Sequence, residues 1–399
     1  VSDVFIANDQ LGRPSQPYLC SYGGNLYELI QDTADNNMTM WQSTNGGATW
    51  SLLATLTAAV STYTCGSIFG TRLYFWYATH GASTAGLAYF DFTSNGFLIV
   101  TTSGNPGNQA VGDDGLIAVL DTAHQFVSSY GVPGFVNSVV VSEYVSGAYG
   151  VIGTIAHNTG GYAAGAPEGM IVGASGILHL LYTASATGFG SSPCDLAYAN
   201  VVSGVLSSTT LGHVIAVSGY SNGWEPVTNP TRVPGMSPLI QVGSTIYGSY
   251  YNPTAQKLIL LSFGDVSSPT FTTAVIDPSW TVAGSAPTGL SVSAVAVVGS
   301  TMYCFYTNGV GGDGWLYMSK STDGGVTWSA RTQIYQHTFT SIFGTGPAAI
   351  FAPELGQFVS GSAGSTFPVS YLDANNGPGR YFYPVTITAP ESARNYVLS

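Results

Sequence analysis

Between Tyr220 and Arg232 the chain brings two aromatic rings (Tyr220, Trp224), a carboxylate (Glu225) and a guanidinium (Arg232) into one stretch, GYSNGWEPVTNPTRVPG. Aromatic faces stack on the C–H surfaces of sugars, and an acid with a base can bond hydroxyls, so the four could form a carbohydrate site. They fit equally a loop clamped by its own tryptophan, with Glu225 and Arg232 as an ordinary ion pair. Asp313, Glu168 and the adjacent pair Asp113 and Asp114 are further acids of the kind glycoside hydrolysis needs. Neighbouring Asp side chains point in different directions, however, and commonly cap a turn. Asp32, Asp35 and Asn36 in QDTADNN could bind calcium, although one polar turn is more often simply solvated; no other cofactor is expected. His80, His157 and His337 lack metal-ligand spacing, and Asn37-Met38-Thr39 is a glycosylation sequon.

The elements holding these residues must be β. Gly is 51 of 399 residues, aromatics are 13%, and helix-spaced runs of Ala, Leu, Glu and Lys are missing. Short β-branched and aromatic stretches between Gly, Asn and Ser clusters point to an all-β fold. The net charge is −12, and the only lysines are Lys257 and Lys320. A phosphate-binding groove needs clustered basic residues, so nucleic acid is not an expected partner. Charged residues are 7%, so the surface stays soluble through hydroxyls and amides or is covered by neighbouring subunits. Secreted and virion proteins fit that surface, and no signal peptide precedes Val1, so the expected location is extracellular after leader removal or lysis. The most apolar stretch, 290–306, is broken by Ser and Gly and reads as two strands, not a membrane span. Cys20 and Cys65 occupy similar places in successive repeats; a disulfide between them and two small buried thiols are both open.

A repeat organises the chain. An apolar strand, a tight Gly turn and a second strand opening on an aromatic or similar anchor recur around Tyr27, Tyr74, Phe126, His179, Tyr247, Tyr303 and Phe358. Each interval suits four short strands, one propeller blade, and seven such units nearly exhaust the chain. The expectation is a single seven-bladed β-propeller over 1–399, with four-stranded antiparallel blades. Residues 1–16 would latch the ring and 388–399 form a tail, while PVSYLD and RYFYPVTIT supply strands C and D of the last blade. A six-bladed ring with an insert is the alternative, because the patterning weakens between Phe126 and His179.

Two segments resemble the Asp-box, or BNR-repeat, turn of sialidase-like propellers. One is Ser43-Thr44-Asn45-Gly46-Gly47-Ala48-Thr49-Trp50, with Asn in place of the Asp; the other is Ser321-Thr322-Asp323-Gly324-Gly325-Val326-Thr327-Trp328. Asp373 to Arg380 is a degenerate third copy. The resemblance implies a structural role: Asn45 and Asp323 accept backbone N–H groups, Gly47 and Gly325 permit close approach or positive φ, and Trp50 and Trp328 pack between sheets. Ser43, Thr49, Ser321 and Thr327 complete the two turns, which in such proteins lie opposite the active face. A sialidase also needs three arginines converging on a carboxylate. Here Arg72 falls in a strand A–B turn, Arg331 after an Asp-box, Arg380 in a C–D turn and Arg394 in the tail, so sialidase activity is not expected.

The resulting expectation is a non-enzymatic recognition, adhesion or structural propeller that binds glycan or protein partners through the face with the longer loops. A secreted glycoside hydrolase or lyase using loop carboxylates is the alternative.

Overall fold

The computed structural model describes residues 4–8, 18–32, 37–57, 60–79, 85–101, 116–132, 135–145, 148–155, 163–185, 194–207, 213–215, 236–252, 257–279, 293–307, 314–341, 344–347, 350–355, 365–373 and 379–387. Seven antiparallel sheets follow one another along the chain. From inside out their strands are A to D. Blade 1 is Tyr18–Tyr22, Asn25–Gln31, Met38–Ser43 and Ser51–Leu56. Blade 2 is Val60–Phe69, Arg72–Thr79, Ala85–Asp91 and Gly96–Thr101. Blade 3 is Leu116–Val119, His124–Val132, Phe135–Val145 and Ala148–Ile155. Blade 4 is Ala163–Val172, Leu178–Ser185 and Cys194–Val202, with an interrupted outer strand, Val205–Ser207 and His213–Ile215. Blade 5 is Ile240–Val242, Thr245–Asn252, Lys257–Gly264 and Phe271–Asp277. Blade 6 is Ser293–Val298, Thr301–Tyr306, Trp315–Ser321 and Thr332–Gln336. A small hairpin, Thr338–Ser341 with Gly344–Pro347, precedes blade 7.

Blade 7 departs from the expected assignment. Its A strand is Ile350–Leu355, and PVSYLD and RYFYPVTIT lie in Ser365–Asp373 and Gly379–Ile387, which are strands B and C. The outermost strand comes from the other end of the chain: Val4–Asn8 pairs antiparallel with Gly379–Ile387. Inner strands meet between blades 2 and 3, 3 and 4, 5 and 6, and 6 and 7, and Ile350–Leu355 meets Tyr18–Tyr22 where the ring closes. The fold is therefore the seven-bladed propeller; the six-bladed alternative is excluded. Phe358, the last sequence anchor, lies outside the described residues.

Period-2 alternation explains why the blades must form a ring. In strand B of blade 2, Leu73, Phe75 and Tyr77 face blade 1, while Tyr74 and Trp76 face blade 3. Both faces are apolar, so each blade needs a neighbour on either side. The core is accordingly seven clusters, one in each gap between blades, and the gap at the closure packs Ile6 and Phe382 on Leu19, Leu26 and Ile30. Cys20 is buried in the gap between blades 1 and 2, and the Cys65 side chain lies outside the described residues.

The outer strands share a feature the sequence reading missed. In every blade, strand D holds one residue more than the strand it pairs with: Leu53, Val100, Ile152, Val214, Ile276, Ile334 and Ile6 in blades 1 to 7. All seven are aliphatic. A bulge bends an edge strand and interrupts the ladder an intruding strand would need. That protection matters because these outer strands contain no Lys, Arg, Glu or Pro. The residue before the bulge is apolar and open in five blades: Phe5 48%, Leu52 52%, Ile99 38%, Val151 51% and Val275 43% exposed.

Candidate functional site

Antiparallel alternation puts all A–B and C–D turns at one end of the ring and all B–C and D–A connections at the other. At the first end the C–D turns of blades 1 and 6 bond to themselves. In blade 1, the Gly47 N–H donates to Ser43 Oγ at 2.8 Å, and Ser43 Oγ donates to Asn45 Oδ1 at 2.9 Å. The Thr49 N–H donates to the same Asn45 oxygen at 3.0 Å, and Asn45 Nδ2 donates to Thr49 Oγ1 at 2.8 Å. Blade 6 repeats the arrangement: Gly325 N–H to Ser321 Oγ at 2.9 Å, Ser321 Oγ to Asp323 Oδ1 at 2.7 Å, and Thr327 N–H to Asp323 Oδ1 at 2.9 Å. Gly47 and Gly325 have φ of 92° and 90°. Trp50 meets Phe382 of blade 7 edge to face at 5.4 Å, and Trp328 packs on the cluster between blades 5 and 6 while its Nε1–H donates to Gly325 O at 3.0 Å. Asp373 and Arg380, by contrast, flank the B–C connection of blade 7, so that segment lies at the opposite end from the two Trp turns.

Hydrogen bonds from the Thr327 hydroxyl and N–H, then from Ser321, bring the Asp323 carboxyl down to about 2. A carboxyl with a depressed folded pKa adds stability above its unfolded value, near 4, and loses it as pH falls towards 2. The melting temperature is therefore expected to drop between pH 4 and pH 2, with a smaller drop in Asp323→Asn, whose side chain copies the untitratable Asn45. Two-dimensional NMR of the Asp323 carboxyl checks this directly; titration near 4 would contradict it.

The four longest connections belong to the other end. They span 102–115, 216–239, 278–292 and 337–349, all D–A segments, against B–C links such as 32–37 and 307–314. Tyr220, Trp224, Glu225 and Arg232 lie in 216–239, between strand D of blade 4 and strand A of blade 5; Asp313 lies in the B–C link of blade 6. All five are outside the described residues, as are Asp35, Asn36, Asp113, Asp114, His80 and His157. Asp32 is described, and its N–H donates to Asn37 O at 2.8 Å. Asn37 of the sequon is buried. Among the described residues no three His, Cys, Asp or Glu side chains gather as a metal site requires.

Among the described residues three polar networks sit between blades, and sequence reasoning found none of them. At the ring closure Glu28 of blade 1 and Arg380 of blade 7 are both fully buried, with Arg380 Nε 3.7 Å from Glu28 Oε1; Ser370 Oγ donates to the same oxygen at 2.9 Å. Between blades 5 and 6 the buried Asp277 accepts Tyr306 O–H at 2.8 Å and the Ser279 N–H at 2.8 Å. Burial pushes the Tyr306 phenol well above its ordinary value. Between blades 4 and 5 Asp265 joins His179, Ser175 and Gln241. In each network the described groups bond to one another inside the wall. None presents an acid and a base to solvent on the loop face. The described arginines are likewise dispersed: Arg72 pairs with Asp91 at 3.4 Å, Arg331 lies over the Tyr317 ring at 4.9 Å, and Arg380 holds Glu28. Arg380 is thus a wall residue in strand C, and not in the C–D turn expected from the sequence.

No protein-family model matches this chain, and no curated protein matches it. Solved structures do. The chain is similar to a polysaccharide lyase at 9% identity and a TM-score of 0.52, over 95% of this chain and 92% of that one. It is also similar to a prolyl endopeptidase (12% identity, TM-score 0.44, 90% of this chain and 46% of that one) and to a puromycin hydrolase (9%, 0.45, 88% and 52%). The chain spans about half the length of these last two. At such identities the likeness is one of fold, the β-propeller.

Proposed function

We propose that this chain is a non-enzymatic recognition propeller of an extracellular or virion surface, akin to the Asp-box propellers, and that it binds glycan or protein through its D–A and B–C loops. The carrying observation is the asymmetry of the ring. One end holds Ser-Gly-Trp turns that bond to themselves, while the longest connection, 216–239, leaves from the other and carries Tyr220, Trp224, Glu225 and Arg232. Long loops on a rigid scaffold are where binding is usually placed. Asp313 belongs to the same end.

A structural role within an assembly is the companion reading, and the rim favours it. Its outer strands are nearly uncharged, and five of them hold an open aliphatic or aromatic residue at the same position before the bulge. Neighbouring subunits would cover that surface, and no membrane insertion is needed.

The test sets binding beside turnover. Immobilised chain is exposed to a glycan array and to fluorogenic sialosides and polysaccharides. Retention of a glycan or protein without turnover is the expected result. Sialoside or polysaccharide cleavage lost in Glu225→Gln or Arg232→Ala would overturn the reading.

A further inference from the structure

The Asp265 network joins the two blades that the 216–239 connection bridges. Asp265 opens the C–D turn of blade 5. Its Oδ2 accepts the Ser175 N–H at 2.9 Å and Gln241 Nε2 at 2.9 Å, and its Oδ1 accepts Ser175 Oγ at 2.5 Å and His179 Nε2 at 2.9 Å. Ser175 lies in the A–B turn of blade 4, His179 in strand B of blade 4, and Gln241 in strand A of blade 5. Gln241 Oε1 accepts the Ala174 N–H at 2.8 Å, giving a second link between the same blades. A methyl group on Gly173 would come within 2.2 Å of Asp265 Oδ1, so the carboxylate is seated directly on the blade 4 backbone. Asn200 extends the network outward: its Nδ2 donates to Ser267 O at 2.6 Å, and Ser207, on the outer strand of blade 4, donates to its Oδ1. The first piece of the blade 4 outer strand and the inner strand of blade 5, to which the connection returns, are thus held by one set of bonds.

We propose that His179 and Asp265 form an acid-released clamp between blades 4 and 5, set to loosen the A–B turn of blade 4 and the inner strand of blade 5 to which the 216–239 connection returns. The neighbours of His179 fix its protonation. Nε2 faces a carboxylate and must carry a hydrogen. Nδ1 is 2.7 Å from Tyr198 O–H, and that oxygen already accepts Asn200 Nδ2–H at 3.2 Å. With neutral His179 the phenol donates to Nδ1 and every group is satisfied. With a proton on Nδ1 the phenol oxygen faces two donors, and its own hydrogen is left without an acceptor in a buried site, a costly arrangement. Phe263 covers the ring at 5.5 Å, so water cannot easily repair the loss. Asp265 and Tyr198 are the titratable groups shown facing His179, from blades 5 and 4.

The electrostatic direction agrees. Burial holds His179 below its ordinary value, against the opposing pull of Asp265. For a base with a lowered folded pKa the stabilisation is complete above the unfolded value, near 6.5, and is lost as pH falls below it. Burial would raise Asp265, but hydrogen bonds from Ser175, His179 and Gln241 outweigh it and lower the carboxyl, so Asp265 stays charged while His179 titrates.

Hydrogen exchange at pH 7.5, 6.0 and 5.0, corrected for intrinsic rates, tests the clamp. In the wild-type chain, opening of 171–181 and 240–250 is expected to rise by up to about tenfold per pH unit below 6.5, with strands 26–30 and 73–77 unchanged. His179→Gln can still donate to Asp265 but cannot titrate, so it should keep the two segments closed at pH 5.0; His179→Phe serves if that variant does not fold. Equal acid opening in wild type and variant, an even response across all blades, or no response in wild type would each overturn the proposal. None of these readouts depends on ligand binding, so the clamp can fail while the recognition reading stands, and the reverse.

Discussion

Arg380→Met is expected to destabilise the ring by about 3–5 kcal/mol, because it strands the buried Glu28 carboxylate without its charge partner. Both side chains are fully buried, Ser370 supplies a single hydroxyl, and the gap they fill is the closure between the first and last blades. Removing both charges should cost much less. A Glu28→Leu, Arg380→Met double variant replaces a desolvated pair by apolar volume, which is often neutral in stability. Urea denaturation of the two singles and the double forms the cycle. A large positive coupling is the expected outcome; additive losses, or a single-variant loss below about 1 kcal/mol, would show that Glu28 and Arg380 do not act as a pair.

Gly47→Ala is the second large effect. A Cβ at Gly47 would sit 1.9 Å from the Phe382 ring, which is held between Trp50 and the blade 7 sheet, and the residue has φ of 92°. The left-handed backbone costs an L-residue about 1–2 kcal/mol and overpacking about 1–3 kcal/mol, so a loss of about 3 kcal/mol is expected. Gly46→Ala isolates the first cost, since its φ is 69° and nothing lies within 4 Å of its Cβ. Gly325→Ala should fall between the two, because the nearest atom, 2.4 Å away, is the far end of the Leu260 side chain. Thermal melts of the three variants give the order. If Gly46→Ala and Gly47→Ala were equally harmful, the contact with Phe382 would not be what matters.

The ring was legible in the sequence because strand anchors are local: six of the seven anchors fall in strand B of their blades, from Tyr27 to Tyr303. Blade 7 was misassigned because its outermost strand comes from the N-terminus, and no local pattern announces a pairing of Phe5 with Tyr381. The bulged aliphatics had a signal that went unread: a β-branched or leucine residue follows an apolar one in SLLATL, FLIVT, YGVIGTI, TAVID and VFIAN. The interblade polar groups gave no comparable signal. Glu28 and Arg380 are 352 positions apart, His179 and Asp265 are 86 apart, and only ring closure and blade order bring each pair together. The candidate site was legible only as composition, since Tyr220, Trp224, Glu225 and Arg232 are neighbours in one connection and lie outside the described residues.

The most direct test of recognition at the loop face is a titration of Trp224→Ala against whichever glycan or protein the wild-type chain retains, with thermal melts of both. The account predicts a binding loss of about 2 kcal/mol or more, as for a central aromatic anchor, with an unchanged melting temperature and no turnover by either chain. Unchanged affinity in a destabilised Trp224→Ala chain would contradict it, because the tryptophan would then be clamping its own loop.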